Sequence, residues 1–124
     1  MIVNDPDALA ELEAAFARYE EALVQNDVAT LDSLFWPSSL AVRYGATENL
    51  YGYGEIAAFR AARPSNDLAR TLRRTVLTTF GRNTGTTMTE FTRTSKPGHV
   101  GRQSQAWVKF ADGWRIVAAH VSII

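Results

Sequence analysis

Cysteine is absent from the 124 residues. That absence excludes a disulfide framework, a thiolate zinc site, an iron–sulfur cluster and a cysteine nucleophile. The redox compartment stays open, and a cytoplasmic protein is the simplest expectation. No apolar run approaches the roughly 18 residues that span a bilayer, and Met1-Ile2-Val3-Asn4-Asp5 has no basic start ahead of an apolar stretch. Neither a membrane span nor a signal peptide is therefore expected. Histidine is limited to His99 and His120, with no i, i+4 pair, so no metal site is expected. No glycine-rich phosphate loop follows a strand pattern and no Gly-x-Ser-x-Gly elbow occurs. Lysine is scarce as well, with only Lys96 and Lys109 among thirteen basic residues.

What is present suits one folded domain over residues 1–124. The chain is 46% hydrophobic, and at this length roughly two thirds of the unfolded surface is buried on folding. Its formal charge is zero, and there is no aromatic-rich RNA-binding signature or basic helix, so no nucleic-acid partner is expected. The zero conceals an asymmetry. Residues 1–58 carry ten acids and two bases, a net of −8, whereas the remainder carries three acids and eleven bases, a net of +8. Arginine is favoured where a planar fork grips a carboxylate or phosphate. Acidic helices facing basic strands would account for much of the asymmetry, and an anion site is the sharper alternative.

Leu9, Leu12, Phe16, Tyr19 and Leu23 recur at helical spacing, which predicts a helix from about Pro6 with Asp5 as its N-cap. Asp27 can cap a second, shorter helix carrying Val28, Leu31, Leu34 and Phe35. Leu40 to Tyr44 reads as a short strand, and Gly45 to Asn49 as a loop leading into Leu50-Tyr51. A third helix is expected over Glu55 to Arg63, with Ile56, Phe59 and Arg63 on one face and Pro64 as its stop. From Leu68 onward, β-branched and aromatic residues alternate in strands at about 69–80, 85–94, 100–110 and 114–123, joined by short turns. Helices followed by strands indicate an α+β fold: three N-terminal helices packed on a curved, mostly antiparallel sheet. In the last strand strict alternation puts Trp114, Ile116, Ala118, His120 and Ser122 on one face and Arg115, Val117, Ala119, Val121 and Ile123 on the other. Both faces are largely apolar, so the outer side of the sheet is expected to meet a second copy in a homodimer, with Trp107 as an anchor.

Several side chains could carry chemistry. Tyr19 lies on the apolar stripe of helix one, where a phenol either satisfies its hydroxyl within the core or offers it to a cavity. Arg43 lies between apolar Val42 and Tyr44, and a buried guanidinium needs an anionic partner, either a structural carboxylate such as Glu48 or a substrate carboxylate. Arg63 prolongs the inner face of helix three, with Arg60 beside it. In Gly101-Arg-Gln-Ser-Gln105, Arg102 and Ser104 share one strand face and Gln103 and Gln105 the other. His120 suits a hydrogen-bonded lining position. Asn49, Arg63, Ser104 and His120 are the expected substrate-binding residues around Tyr19 and Arg43.

The whole arrangement resembles the NTF2-like, SnoaL-like cone fold. More narrowly, Asn4-Asp-Pro6, Phe16-Ala-Arg-Tyr-Glu20, Leu34-Phe-Trp36, Val42-Arg-Tyr-Gly45, Glu48-Asn-Leu-Tyr-Gly52, Phe59-Arg-Ala-Ala-Arg-Pro64 and Val100-Gly-Arg-Gln-Ser-Gln-Ala-Trp107 resemble the AtzH-like family, including its HpxZ-like members of oxalurate breakdown. The resemblance implies a cofactor-independent lyase of ureide catabolism that decarboxylates an N-carboxylated urea such as 1,3-dicarboxyurea. It also implies an essential tyrosine on the first helix and an arginine after it, which Tyr19 and Arg43 match. A non-catalytic ligand binder or an accessory subunit of an amidase is the alternative. A SnoaL-like isomerase or cyclase needs a pocket carboxylate as carbon base, for which Glu48 is the near candidate.

Overall fold

A computed structural model describes residues 1–124. Helix α1 spans Pro6–Val24, and its start is set by the Asp5 carboxylate, which accepts the Ala8 amide at 3.1 Å, with Pro6 in the first turn. Its buried face carries Leu12, Phe16, Tyr19 and Leu23, as the spacing predicts. Helix α2, Val28–Leu34, is capped by Asp27, which accepts from both the amide and the hydroxyl of Thr30. Strands β1 (Val42–Tyr44) and β2 (Asn49–Tyr51) form a short hairpin, and helix α3 runs from Tyr53 to Ala62. Helix α3 starts two residues ahead of the sequence expectation. Gly52 turns the chain at φ +86°, and the Glu55 carboxylate reaches back to accept the Tyr51 amide at 2.9 Å. Arg63 is consequently the residue after the helix, in extended conformation, rather than its last turn.

Four long strands follow: β3 (Thr71–Phe80), β4 (Thr84–Thr92), β5 (Gly101–Phe110) and β6 (Gly113–Ile123). The six-stranded sheet has the order β2-β1-β6-β5-β4-β3, and all its pairings are antiparallel except β1 with β6. The helices cover one face. Between them lies the core, with Leu12, Leu31, Leu34, Phe35, Trp107 and Ile116 almost wholly buried. No helix is long and apolar enough to cross a membrane.

A bulge in β6 alters the faces expected from strict alternation. Ala106 pairs with Ala118 whereas Trp107 pairs with Ile116, so Val117 is one residue in excess. An insertion of one residue inverts every later side chain. Trp114 and Ile116 face the helices, but beyond the bulge Val121 and Ile123 do so, while Ala118 and His120 emerge on the outer face beside Val42 and Tyr44. Trp107 also differs from expectation. It shares parity with Gln103 and Gln105, so its ring enters the core and its indole N–H donates to Thr87 Oγ1 at 3.0 Å. A buried tryptophan cannot anchor a contact on the outer face.

Candidate active site

The sheet and helices diverge at one end around a cavity of about 530 Å³. Helix α1 contributes Tyr19 to its wall, β1 contributes Arg43, and the end of α3 contributes Phe59 and Arg63. Arg70 enters from just ahead of β3, Arg93 from just beyond β4, and Gln103 from β5. Each follows from side-chain periodicity. Tyr19 is one turn from Phe16 and Leu23 on the buried stripe, and Arg93 prolongs the inward alternation of Phe91 on β4.

Arg43 donates from Nη1 to Glu48 Oε1 at 2.9 Å, and its guanidinium carbon lies 5.4 Å from the Phe59 ring centroid. The Glu48 carboxylate also accepts from the Thr47 amide and hydroxyl. It has room to do so because residue 45 is glycine: a Cβ there would lie 1.7 Å from Glu48 Oε1. Burial pushes the Glu48 carboxyl pKa up, but the hydrogen bonds from Thr47 and Arg43, with the charge of Arg43, outweigh this and hold it below the usual value. The structural carboxylate anticipated for Arg43 is thus in place, and it engages one guanidinium nitrogen.

Arg70 is paired with Glu20 through Nε at 3.1 Å and through Nη2, and it also donates to Gln103 Oε1 at 3.0 Å. Tyr19, itself buried, enters none of these hydrogen bonds. Arg63 and Arg93 are less well compensated. Nε and Nη2 of Arg63 and Nε of Arg93 are buried without a partner. Burial lowers the pKa of Arg63, and Arg60, Arg43 and Arg93 add to the shift while Tyr19 opposes it. For Arg93, burial is again the main cause, followed by the charge of Arg70, with Asp67 and Glu20 opposing.

Of the residues singled out from sequence, Tyr19, Arg43 and Arg63 share this cavity. Ser104 and His120 do not. They pair with each other across β5 and β6 on the outer face, because the Val117 bulge reverses His120 and Ser104 has the opposite parity to Gln103. Asn49 is exposed at the start of β2, on the edge of the sheet and outside the cavity. Gln103, which the sequence marks only by its strand face, and Arg93, which it does not single out, also line the cavity. Their signal was available in strand parity, since both alternate with residues that become core. No group of three or more His, Asp or Glu side chains converges anywhere in the chain.

A family model described as AtzH-like matches residues 1–124. The chain belongs to the AtzH-like family. A crystal structure of a DUF3225-family protein of unknown function from Pectobacterium atrosepticum is 60% identical to this AtzH-like chain, with a TM-score of 0.96 over 98% of it and 94% of the other chain. A cystatin-like fold protein from Burkholderia xenovorans is 48% identical, with a TM-score of 0.96 over 100% and 97% of the two chains. An NTF2-like superfamily protein from Salmonella enterica serovar Typhimurium, 23% identical with a TM-score of 0.74 over 94% and 90%, shares the fold alone. The AtzH-like chain therefore has the NTF2-like α+β architecture, with three helices on a six-stranded mixed sheet. No curated protein matches it.

Proposed function

We propose that this AtzH-like protein decarboxylates an N-carboxylated urea, a dianion of the 1,3-dicarboxyurea type, without a cofactor. The observation that carries the reading is the convergence of a buried phenol, Tyr19, with two guanidinium groups, Arg43 and Arg63, on one cavity. Arg43 takes the substrate's carboxylate through the N–H groups that Glu48 does not use. Tyr19 donates its phenolic proton to the nitrogen that bears the departing carboxylate. The C–N bond then breaks, its electron pair stays on nitrogen, and carbon dioxide leaves from an N–H product. Arg63, within electrostatic range of Tyr19, stabilises the resulting phenolate until water returns the proton.

Glu48 supports this reading over an isomerase or cyclase. A carbon base must be free to accept a proton, and Glu48 is held by Arg43 and Thr47 with its pKa lowered. On the outer face we propose a second copy of the chain. Val42, Met88, Ala106 and Ala118 line a shallow hollow there beside Tyr44 and His120, and no helix of the chain covers it.

The test is carbon dioxide release from N-carboxylated ureides by the purified protein alone. Turnover by the wild type, lost in Arg43→Ala, supports the proposal. No release by the protein alone, together with co-purification of an amidase, would replace it with an accessory role.

A further inference from the structure

Four buried N–H donors around one cavity have no acceptor: Nε and Nη2 of Arg63, Nε of Arg93 and Nε2 of Gln103. Native interiors rarely leave such groups unpaired, because each retains most of its desolvation cost. Gln103 is 2% exposed, and its carbonyl oxygen is already committed to Arg70, which fixes the orientation of its amide. Arg70 and Arg93 lie 4.4 and 4.8 Å from the centroid of the same Phe91 ring. Glu20 engages Arg70, but no salt bridge is made by Arg93. Two like charges share one ring with one carboxylate in direct contact, and Asp67 and Glu20 act on Arg93 only at longer range, so Arg93 is left with a deficit of contacting anion.

This deficit is not at Arg43. Arg43 is carried on β1 and packs on Phe59, whereas Arg93 follows β4 and packs on Phe91. β6 and β5 lie between the two strands, and Arg43 is in register through Ala119 and Gln105 with Thr87, well short of Arg93 along β4, so their backbones are separated by at least about 14 Å across the sheet. Arg63 is within electrostatic range of both guanidiniums. The cavity thus has two cationic ends and a bridging arginine.

We propose that Arg93 and the Gln103 amide form a second anion subsite, which selects a linear ligand with a carboxylate at each end over its singly charged analogue. The assignment rests on the cavity being the substrate site. Arg93 would answer the second charge, Gln103 Nε2 would donate to the same carboxylate, and Arg70 would act through Gln103 as a positioning residue. Arg43 and Tyr19 then act on the first end, so the subsite sets specificity and contributes no proton.

Glutarate and its monoamide, glutaramate, are unreactive probes with the chain length of 1,3-dicarboxyurea, and their binding can be followed by calorimetry. The wild type is expected to bind glutarate at least ~10-fold more tightly than glutaramate. In Arg93→Met the two should bind within ~3-fold of each other, with glutaramate affinity little changed. Gln103→Glu keeps the shape and the Arg70 contact but turns a carboxylate oxygen toward the ligand, so it should lose the glutarate preference while remaining folded. If Arg93→Met does not fold, Gln103→Glu decides. Equal binding of both probes by the wild type, or a glutarate preference that survives Gln103→Glu, overturns the subsite. Absence of carbon dioxide release alongside an intact glutarate preference would instead remove the decarboxylase reading and leave the subsite standing.

Discussion

Gly101 meets the edge of Phe91 so closely that a Cβ there would lie 2.0 Å from the ring. The missing side chain is what lets Phe91 lie flat enough to support Arg70 and Arg93. Gly101→Ala should displace the ring, lower stability by about 1–3 kcal/mol through overpacking, and weaken dicarboxylate binding at the same time. Urea unfolding and calorimetry on one preparation check both effects; unchanged binding would show that Phe91 does not support the cationic end. Single residues also separate what was legible in the sequence. Tyr19 and Arg43 could be recognised because each interrupts an apolar pattern with a group that needs a partner. Strand parity puts Gln103 on the same face as Trp107, but its importance comes from Arg70 taking its oxygen and leaving its nitrogen unpaired, which no sequence pattern reports.

At the scale of elements, helix α1 is the part on which the proposed chemistry depends most. It positions Tyr19 nearly four turns from its capped end, and the Asp5 carboxylate closes that end on the Ala8 amide. Asp5→Ala should cost about 1 kcal/mol in chemical denaturation, with the slope of the transition unchanged. No loss of stability would mean that the Pro6 turn alone defines the helix start. Helices α1 and α2 were readable because a 3.6-residue spacing and an Asp cap are both local properties. The face of β6 was not. Its bulge at Val117 exists only in the pairing with β5, where Ala106 and Trp107 oppose Ala118 and Ile116. One strand alone does not contain that register, and strict alternation consequently puts His120 on the cavity side. Ser104 and Asn49 lie outside the cavity for a related reason, since a polar side chain in a strand indicates no particular face until its partners are known.

For the molecule as a whole, the −8 and +8 halves are partly joined by ordinary ion pairs. Arg60 meets Asp32, Arg70 meets Glu20, and Lys109 meets Glu11, each linking the basic half to the acidic helices. Arg63 and Arg93 make no such pair, so part of the basic half's charge is left facing the cavity, while Arg74, Arg82 and Arg102 lie exposed on the surface. On the opposite side of the sheet, Ala118→Asp would put a charge into the apolar hollow. Sedimentation at micromolar concentration should show a dimer for the wild type and a monomer for Ala118→Asp, with both folded; a monomeric wild type contradicts the proposed pairing of copies. In the proposed reaction arginines hold the anion while Tyr19 moves the proton, so binding and turnover should separate. The measurement is single-turnover carbon dioxide release from 1,3-dicarboxyurea by Tyr19→Phe, set beside its affinity for glutarate. The expected result is a rate lower by about 10²–10⁴-fold with glutarate affinity within ~3-fold of the wild type; release at the wild-type rate would contradict this division of roles.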